Sequence, residues 1–307
     1  MRMLFIFLDG VGLGTEDVAL NPFASASLPN LDRLLGGRRL LASSTPYTGA
    51  RASLSALDAC LGVAGLPQSA TGQAVLLTGL NIPALIGYHY GPKPNEEVAR
   101  YLRNGNLFNR LMASGRRAAL LNAYPPRYFA SIQSGRRLFS AIPLAVTSAG
   151  IPLKTDQDLK GGQALSADFT GQGWREQLGI ADIPLFTPHE AGQRMAELAS
   201  QVDFSFFEFW VSDYAGHQQD FSAAHSLLDT FDQVMGGLLK TWDDSEGLIL
   251  VTSDHGNLED LSTRRHTTNP VPLLLIGALP LRQSFTQGVK DLTGITPAIL
   301  DLLSTTR

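Results

Sequence analysis

The sequence predicts an α/β protein: a three-layer α/β/α sandwich around a mostly parallel sheet with helices on both faces. Three observations carry this. Apolar runs at 4–8 (LFIFL), 248–251 (LILV) and 273–276 (LLLI) have the continuous hydrophobic pattern of strands buried on both faces. Between them lie stretches with apolar residues at helical spacing, clearest at 224–239 through Leu227, Leu228, Phe231, Val234 and Leu238. Polar and small residues then crowd in directly after the strands, which is where ligands bind in open α/β sheets.

Bulk properties bound the problem. The chain has 307 residues, 44% of them hydrophobic, enough for one large domain or a core with a smaller companion. Net charge is −4, so there is no global basic field and nucleic acid is not an expected partner. Cys60 is the single cysteine, which excludes an intramolecular disulfide and fits a reducing compartment. The apolar run at the N-terminus is too short for a signal-peptide core. No apolar segment approaches the length of a membrane span. A cytoplasmic protein without a membrane partner is expected. Nothing in the pattern reports the oligomeric state.

In chain order, residues 4–8 read as a strand ending at Asp9, followed by Gly10-Val11-Gly12-Leu13-Gly14. A dinucleotide-binding turn would need its third glycine at position 15, which is Thr15. Asp9 is better read as a ligand beside a closely passing backbone. Residues 28–35 suggest a short helix with Pro29 near its start. Residues 38–45 suggest an edge strand, and 52–61 a helix or strand. The segment 65–73 (GLPQSATGQ) lacks bulk and charge and leads into a helix over 74–80. A hydroxyl just before that helix, Ser69 or Thr71, is either an N-cap or a nucleophile whose phosphorylated form the helix N-terminus stabilises.

From about 88 to 185 the character changes. Short helices (95–103, 107–113), a short strand (118–121) and Gly/Pro/Ser-rich loops appear. Arginines cluster, among them Arg127, Arg136 and Arg137. This segment is expected to be an inserted α+β cap domain, leaving 1–87 and 186–307 as a discontinuous core. Its arginines suit a phosphorylated substrate, or a solvated face. Thr187-Pro188-His189-Glu190 is a capping box opening a helix to about residue 201. A strand at 204–211 follows, ending in Ser212-Asp213-Tyr214-Ala215-Gly216-His217. His225 reads as structural, and His89 and His189 as bystanders. After the strand at 248–251 come Asp254-His255-Gly256-Asn257 and His266. A last helix is expected at 298–303.

Asp9, Asp213, Asp254, His217, His255 and His266 all fall at strand ends or in the loops beyond. Mixed carboxylate and imidazole donors suit Zn, Mn or Fe. With a hydroxyl they are too many for one tetrahedral ion and suit two. Paired cations can stabilise the attacking and leaving oxygens of an in-line displacement at phosphorus and activate a serine.

Four segments carry a resemblance: Leu8-Asp9-Gly10-Val11-Gly12; Ser69-Ala70-Thr71-Gly72-Gln73; Asp213 to His217 as D-x-x-G-H; and Asp254-His255-Gly256-Asn257 with His266-Thr267-Thr268-Asn269-Pro270-Val271-Pro272. The chain resembles the alkaline phosphatase superfamily, in the branch of cofactor-independent phosphoglycerate mutase and phosphopentomutase. The resemblance implies an alkaline phosphatase-like core holding two divalent metals, Mn or Zn foremost and Mg in reserve. It implies that Asp9, Asp254 and His255 with the nucleophile's oxygen hold one metal, and Asp213, His217 and His266 the other. The nucleophile would be Ser69, with Thr71 as its competitor. The expected substrate is a small phosphorylated metabolite, with phosphoryl transfer through phosphoserine as in a phosphomutase. A phosphatase or phosphodiesterase is the alternative within the same chemistry, and a non-catalytic metal-binding relative the alternative outside it. Gln73 stands where those mutases carry histidine, and the insert is far shorter than in the phosphoglycerate mutase.

Overall fold

The computed structural model describes residues 1–305. Its strands, in chain order, are β1 (Arg2–Leu8), β2 (Tyr47–Thr48), β3 (Ala52–Leu57), β4 (Ala118–Leu120), β5 (Phe204–Phe209), β6 (Gly247–Thr252) and β7 (Val271–Ile276). They form one seven-stranded sheet in the order β2-β3-β7-β6-β1-β5-β4.

Side chains alternate across this sheet with the period of two that a strand imposes. Leu4, Ile6 and Leu8 of β1 join Phe207, Ile249 and Leu274 in one core cluster. Met3, Phe5 and Phe7 join Phe206, Leu250 and Leu275 in another. Both faces are therefore apolar, and both must be covered. The helices Pro188–Ala199 and Phe221–Thr241 contribute to the first cluster. The helices Ser69–Thr78, Glu96–Arg103, Leu107–Ala113 and Ile295–Thr305 contribute to the second. The result is the expected three-layer α/β/α sandwich.

Most strands run one way, as expected, but the sheet is mixed, with β2 and β7 running against the other five. β1 pairs in parallel with β5 and β6, and β4 with β5. β7 runs antiparallel to both β6 and β3, and β2 antiparallel to β3. A parallel neighbour requires a crossover, usually a helix. The chain between β6 and β7, residues 253–270, forms no helix and doubles back. That return loop carries Asp254, His255 and His266.

The expected cap at 88–185 is only partly a separate body. β4 is an edge strand of the main sheet. Val98, Leu102, Phe108, Leu120 and Val146 lie in the same cluster as Phe5 and Phe7 of β1. Only a small cluster of Ala123, Leu159, Ala164, Trp174 and Ile183 stands apart from the two main ones. The helices Glu96–Arg103 and Leu107–Ala113, expected at 95–103 and 107–113, pack against the sheet, so this part of the segment belongs to the core.

Smaller expectations also shift. Residues 38–45 form no strand; a 3-10 turn at Ala42–Ser44 precedes the edge strand Tyr47–Thr48. The helix expected from 74 begins at Ser69. Asp213 and His217 lie on a helix, Val211–Gln218, rather than in a loop. The helix Leu279–Thr286 was not foreseen. The capping box of Thr187 and Glu190 is present as expected. No helix among the described residues is long and apolar enough to cross a membrane.

Candidate metal and phosphoryl-transfer site

The site lies beyond the carboxyl ends of three adjacent parallel strands, β5, β1 and β6. Asp9 follows β1 directly, Asp213 and His217 follow β5, and Asp254 and His255 follow β6. Hydrogen bonds lace these ends together. Ser212 Oγ donates to the Asp9 carbonyl at 2.6 Å. Val11 N–H donates to Ser253 Oγ at 2.9 Å, and Ser253 Oγ donates to the His255 carbonyl at 2.9 Å. Leu258 N–H donates to the Gly10 carbonyl at 2.9 Å.

The helix Val211–Gln218 places Asp213 and His217 one turn apart on the same face, with His217 Nε2 3.2 Å from Asp213 Oδ2. His266 Nε2 is 3.7 Å from Asp213 Oδ1. The rings of His255 and His266 stack with centroids 3.7 Å apart, and those of His217 and His266 are 5.3 Å apart. His255 Nε2 is 3.5 Å from Asp9 Oδ1 and 3.6 Å from Asp254 Oδ2. Folding thus gathers all six side chains singled out between positions 9 and 266.

Each histidine presents Nε2 inward because Nδ1 faces a backbone carbonyl. The partners are Arg264 at 2.7 Å for His217, Pro67 at 2.8 Å for His266 and Gly256 at 3.3 Å for His255. A backbone carbonyl opposite Nδ1 fixes the tautomer that leaves Nε2 as a donor to metal. Burial holds the His255 and His266 rings below the usual imidazole range, so both favour the neutral, ligating form.

The carboxylates tell the same story with opposite sign. Burial, reinforced by Asp254 and Asp213, pushes Asp9 well above the usual carboxylate range. Burial and then Asp213 push Asp254 up to about 7. Asp9 Oδ1 and both Asp254 oxygens are buried without a hydrogen-bond partner among the described residues. Oxygens so placed are costly unless a cation completes them. The donors fit divalent metal. Asp213, His217 and His266 form one group, and Asp9, Asp213 and His255 another, each with its donor atoms within 4.8 Å of one another. Asp213 is common to both.

Ser69 and Thr71 are separated by their surroundings. Ser69 Oγ lies 3.0 Å from His255 Nε2, inside the cluster. It is the first residue of its helix and caps nothing; the N-cap position is Gln68, whose side chain forms no cap bond. The N–H groups of Ser69 and Ala70 have no partner among the described residues. Thr71 Oγ1 instead donates to the Gln68 carbonyl and accepts from Tyr90 N–H, at 3.1 Å each. Gln73 Nε2 lies 3.5 Å from Asp9 Oδ2.

Several participants escaped sequence reading. Glu259 accepts from Gly12 N–H and Asn257 N–H with one oxygen, at 2.8 Å each. Its other oxygen takes Thr267 Oγ1 and Asn269 Nδ2. It thereby ties the loop after β1 to the loop carrying His266. Asn257 Nδ2 donates to Asp213 Oδ1 at 2.7 Å. Glu208, a lone acid in an aromatic strand, is buried with Tyr124 O–H donating to it at 3.2 Å. Burial raises it to about 7. An acid inside a doubly buried strand of phenylalanines and one serine is a readable signal for such a group. His89, read as a bystander, lines a cavity of about 510 Å³ beside His217 and His266. Arg127, Arg136 and Arg137 are exposed and none lines that cavity. Arg137 stacks over the Tyr128 ring, its Cζ 4.9 Å from the centroid. His225 bonds Ser25 Oγ at 2.8 Å, the structural role expected of it.

Known proteins match this arrangement in part. The Metalloenzyme superfamily model matches residues 188–307. A stretch of 109 residues is 38% identical to the 2,3-bisphosphoglycerate-independent phosphoglycerate mutase of Desulforudis audaxviator, covering 34% of this chain and 21% of that protein. The enzyme of the same name from Antithamnion sp. is 30% identical over 125 residues, covering 37% and 24%. The matched region thus spans only about a fifth to a quarter of the length of these relatives. Among solved structures, the PH0037 protein of Pyrococcus horikoshii aligns with a TM-score of 0.55 at 17% identity, covering 100% of this chain and 97% of that one. Leishmania mexicana phosphoglycerate mutase aligns at 0.51 and 13% identity, covering 98% and 95%. Thermus thermophilus alkaline phosphatase aligns at 0.50 and 12%, covering 100% and 92%. At these identities the structures show a shared fold.

Proposed function

We propose that this chain, which shares the alkaline phosphatase-like fold and matches the Metalloenzyme superfamily in its C-terminal part, is a two-metal phosphoryl-transfer enzyme that works through phosphoserine at Ser69. Its substrate would be a small phosphorylated metabolite, and its reaction that of a phosphomutase. The observation that carries this is a single one. Ser69 Oγ stands 3.0 Å from His255 Nε2, at a helix N-terminus whose first N–H groups are unpaired among the described residues, beside buried carboxylate oxygens that no donor among those residues satisfies.

When bound, two divalent cations, Mn or Zn foremost, would neutralise the phosphoryl oxygens and lower the pKa of the serine hydroxyl. Asp213, His217 and His266 would hold one of them; Asp9, Asp254 and His255 with Ser69 Oγ the other, Asp213 standing close to both. The chain's own residues do the rest. Ser69 Oγ, its proton released to solvent, attacks phosphorus; the ester P–O bond breaks and its oxygen departs on the opposite side, taking up a proton. The N–H groups of Ser69 and Ala70, with the helix dipole behind them, face the charge on the transferred group. Return of the phosphoryl group to the bound substrate gives a mutase; its transfer to water gives a phosphatase. The relatives named as phosphoglycerate mutases support the first outcome.

The test is turnover with metal analysis. The protein loaded with Mn or Zn is expected to bind two ions per chain, to become labelled on Ser69 by a phosphorylated sugar or glycerate, and to isomerise one of them. Ser69→Ala is expected to keep both ions and lose turnover by roughly a thousandfold or more. Two bound metals with turnover surviving in Ser69→Ala would sink the phosphoserine route.

A further inference from the structure

The cavity beside the two outer histidines has a wall that the proposed chemistry does not use. It is formed by the loop Tyr88-His89-Tyr90, by Gln68 and by Arg265, with His217 and His266 on the floor. Its volume of about 510 Å³ is in the range that encloses a small metabolite. The wall is fixed to the helix of Ser69. Thr71 N–H donates to the Tyr90 carbonyl at 3.0 Å, and Tyr90 N–H donates to Thr71 Oγ1 at 3.1 Å. His89 Nε2 lies 3.3 Å from the Val63 carbonyl, and burial holds the ring below the usual imidazole range.

Arg265 differs from its neighbour. Arg264 is engaged, its Nε donating to Gln219 Oε1 at 3.1 Å and its carbonyl facing His217. Arg265 is exposed, directly precedes His266 and lines the cavity, and no carboxylate pairs with its guanidinium among the described residues. A guanidinium is the donor best matched to a carboxylate or phosphate, by two parallel hydrogen bonds. The neighbouring wall offers hydroxyl, amide and neutral imidazole groups, which suit the polar body of a hydroxylated metabolite.

We infer that Arg265 recognises a second anionic group on the substrate, so that the substrate class is a small phosphomonoester carrying another carboxylate or phosphate. This rests on the proposed function, because one end of the molecule must sit at the metals. The specificity element then lies in the core loop between β6 and β7, not in the arginines of 88–185.

Calorimetry with stable phosphonates tests it without turnover. Metal-loaded protein is titrated with propylphosphonate, 3-phosphonopropionate and propane-1,3-diphosphonate. At least one of the doubly anionic compounds is expected to bind tenfold or more tighter than propylphosphonate, and the better of the two identifies carboxylate or phosphate. Arg265→Ala is expected to reduce that advantage to threefold or less, and Arg265→Lys to keep part of it. Equal affinity for all three compounds, or an advantage that survives in Arg265→Ala, overturns the inference while leaving the phosphoryl site standing. Failure of all three to bind overturns the phosphoryl site and the inference together.

Discussion

Ser69 and Thr71 were equivalent in the sequence because register along a helix is not written in a small, uncharged motif. What separates them is tertiary: Tyr90, nineteen positions beyond Thr71, occupies the Thr71 hydroxyl, while among the described residues the Ser69 hydroxyl has His255 as its hydrogen-bond partner. The metal-type residues were legible because carboxylates and imidazoles at strand ends have few structural uses. Glu259 and Arg265 were not, since acids and arginines in loops are usually solvated. The buried acids carry a pH prediction. In the metal-free protein Asp254 and Glu208 titrate at about 7, against about 4 in an unfolded chain. Their folded values are raised, so the folded chain holds protons the unfolded one has released, and stability falls as pH rises through that window. His255 and His266 are shifted down and oppose this trend below about 6.5, the unfolded imidazole value. The fall is therefore cleanest near neutrality. Of these two acids, Asp254 is a proposed metal ligand, and metal needs it deprotonated. Between pH 6 and 8, the melting temperature of chelator-treated protein is expected to drop and that of metal-loaded protein to rise. Matching slopes for the two forms would rule this out.

The elements most legible were the doubly buried strands, since a continuous apolar run has one simple solution in an α/β protein. β1, β5, β6 and β7 all lie where the hydrophobic pattern placed them. Strand direction was less legible. For β7 to run parallel to β6, residues 253–270 would have to form a crossover, usually a helix, and that segment is made of turns and bends instead. The start of the Ser69–Thr78 helix was misjudged because Ser-Ala-Thr-Gly reads as loop by propensity. Its glycine has a different reason to be there. A Cβ on Gly72 would meet Asp254 Cβ at 2.8 Å and the Asp254 carbonyl at 2.9 Å, so only glycine lets this helix carry Ser69 up to the ligand loop. Gly72→Ala must push helix and loop apart. The expected cost is about 1–3 kcal/mol of stability, the usual size of overpacking. A loss of metal affinity should accompany it, because Asp254 moves with the loop. Denaturant melts paired with metal titration would show both effects. A stability loss with unchanged metal affinity would mean that the helix, not the site, absorbs the strain.

At the scale of the molecule, the site is a junction rather than an ornament. Asp9 belongs to the first strand, Ser69 to a helix on one face, Asp213 and His217 to the segment after β5, and His266 to a loop reaching back over Pro67. Segments far apart in sequence meet there through like-charged carboxylates, and without cations that meeting is repulsive. The inserted segment does not relieve this. Its helices between 96 and 148 serve the sheet's second face, while those carrying Leu159 and Trp174 build the small separate cluster; Gly- and Pro-rich loops look like boundaries even where the helices between them are core. Cations should therefore act as cross-links of the folded state. A ligand that binds only the native chain stabilises it by about 2.7 kcal/mol when present at a hundred times its dissociation constant. Two such ions give roughly 5 kcal/mol. In a large domain each kcal/mol is worth about 2–4 °C, so chelation is expected to lower the melting temperature by about 10 °C or more. Hydrogen exchange should show that loss first in 253–270 and in the turn after β1, the segments Glu259 ties together, and only later in the sheet. If chelated and loaded protein melt alike, with those loops equally protected, the carboxylates are satisfied some other way and the paired-cation site is not what holds this end of the sheet.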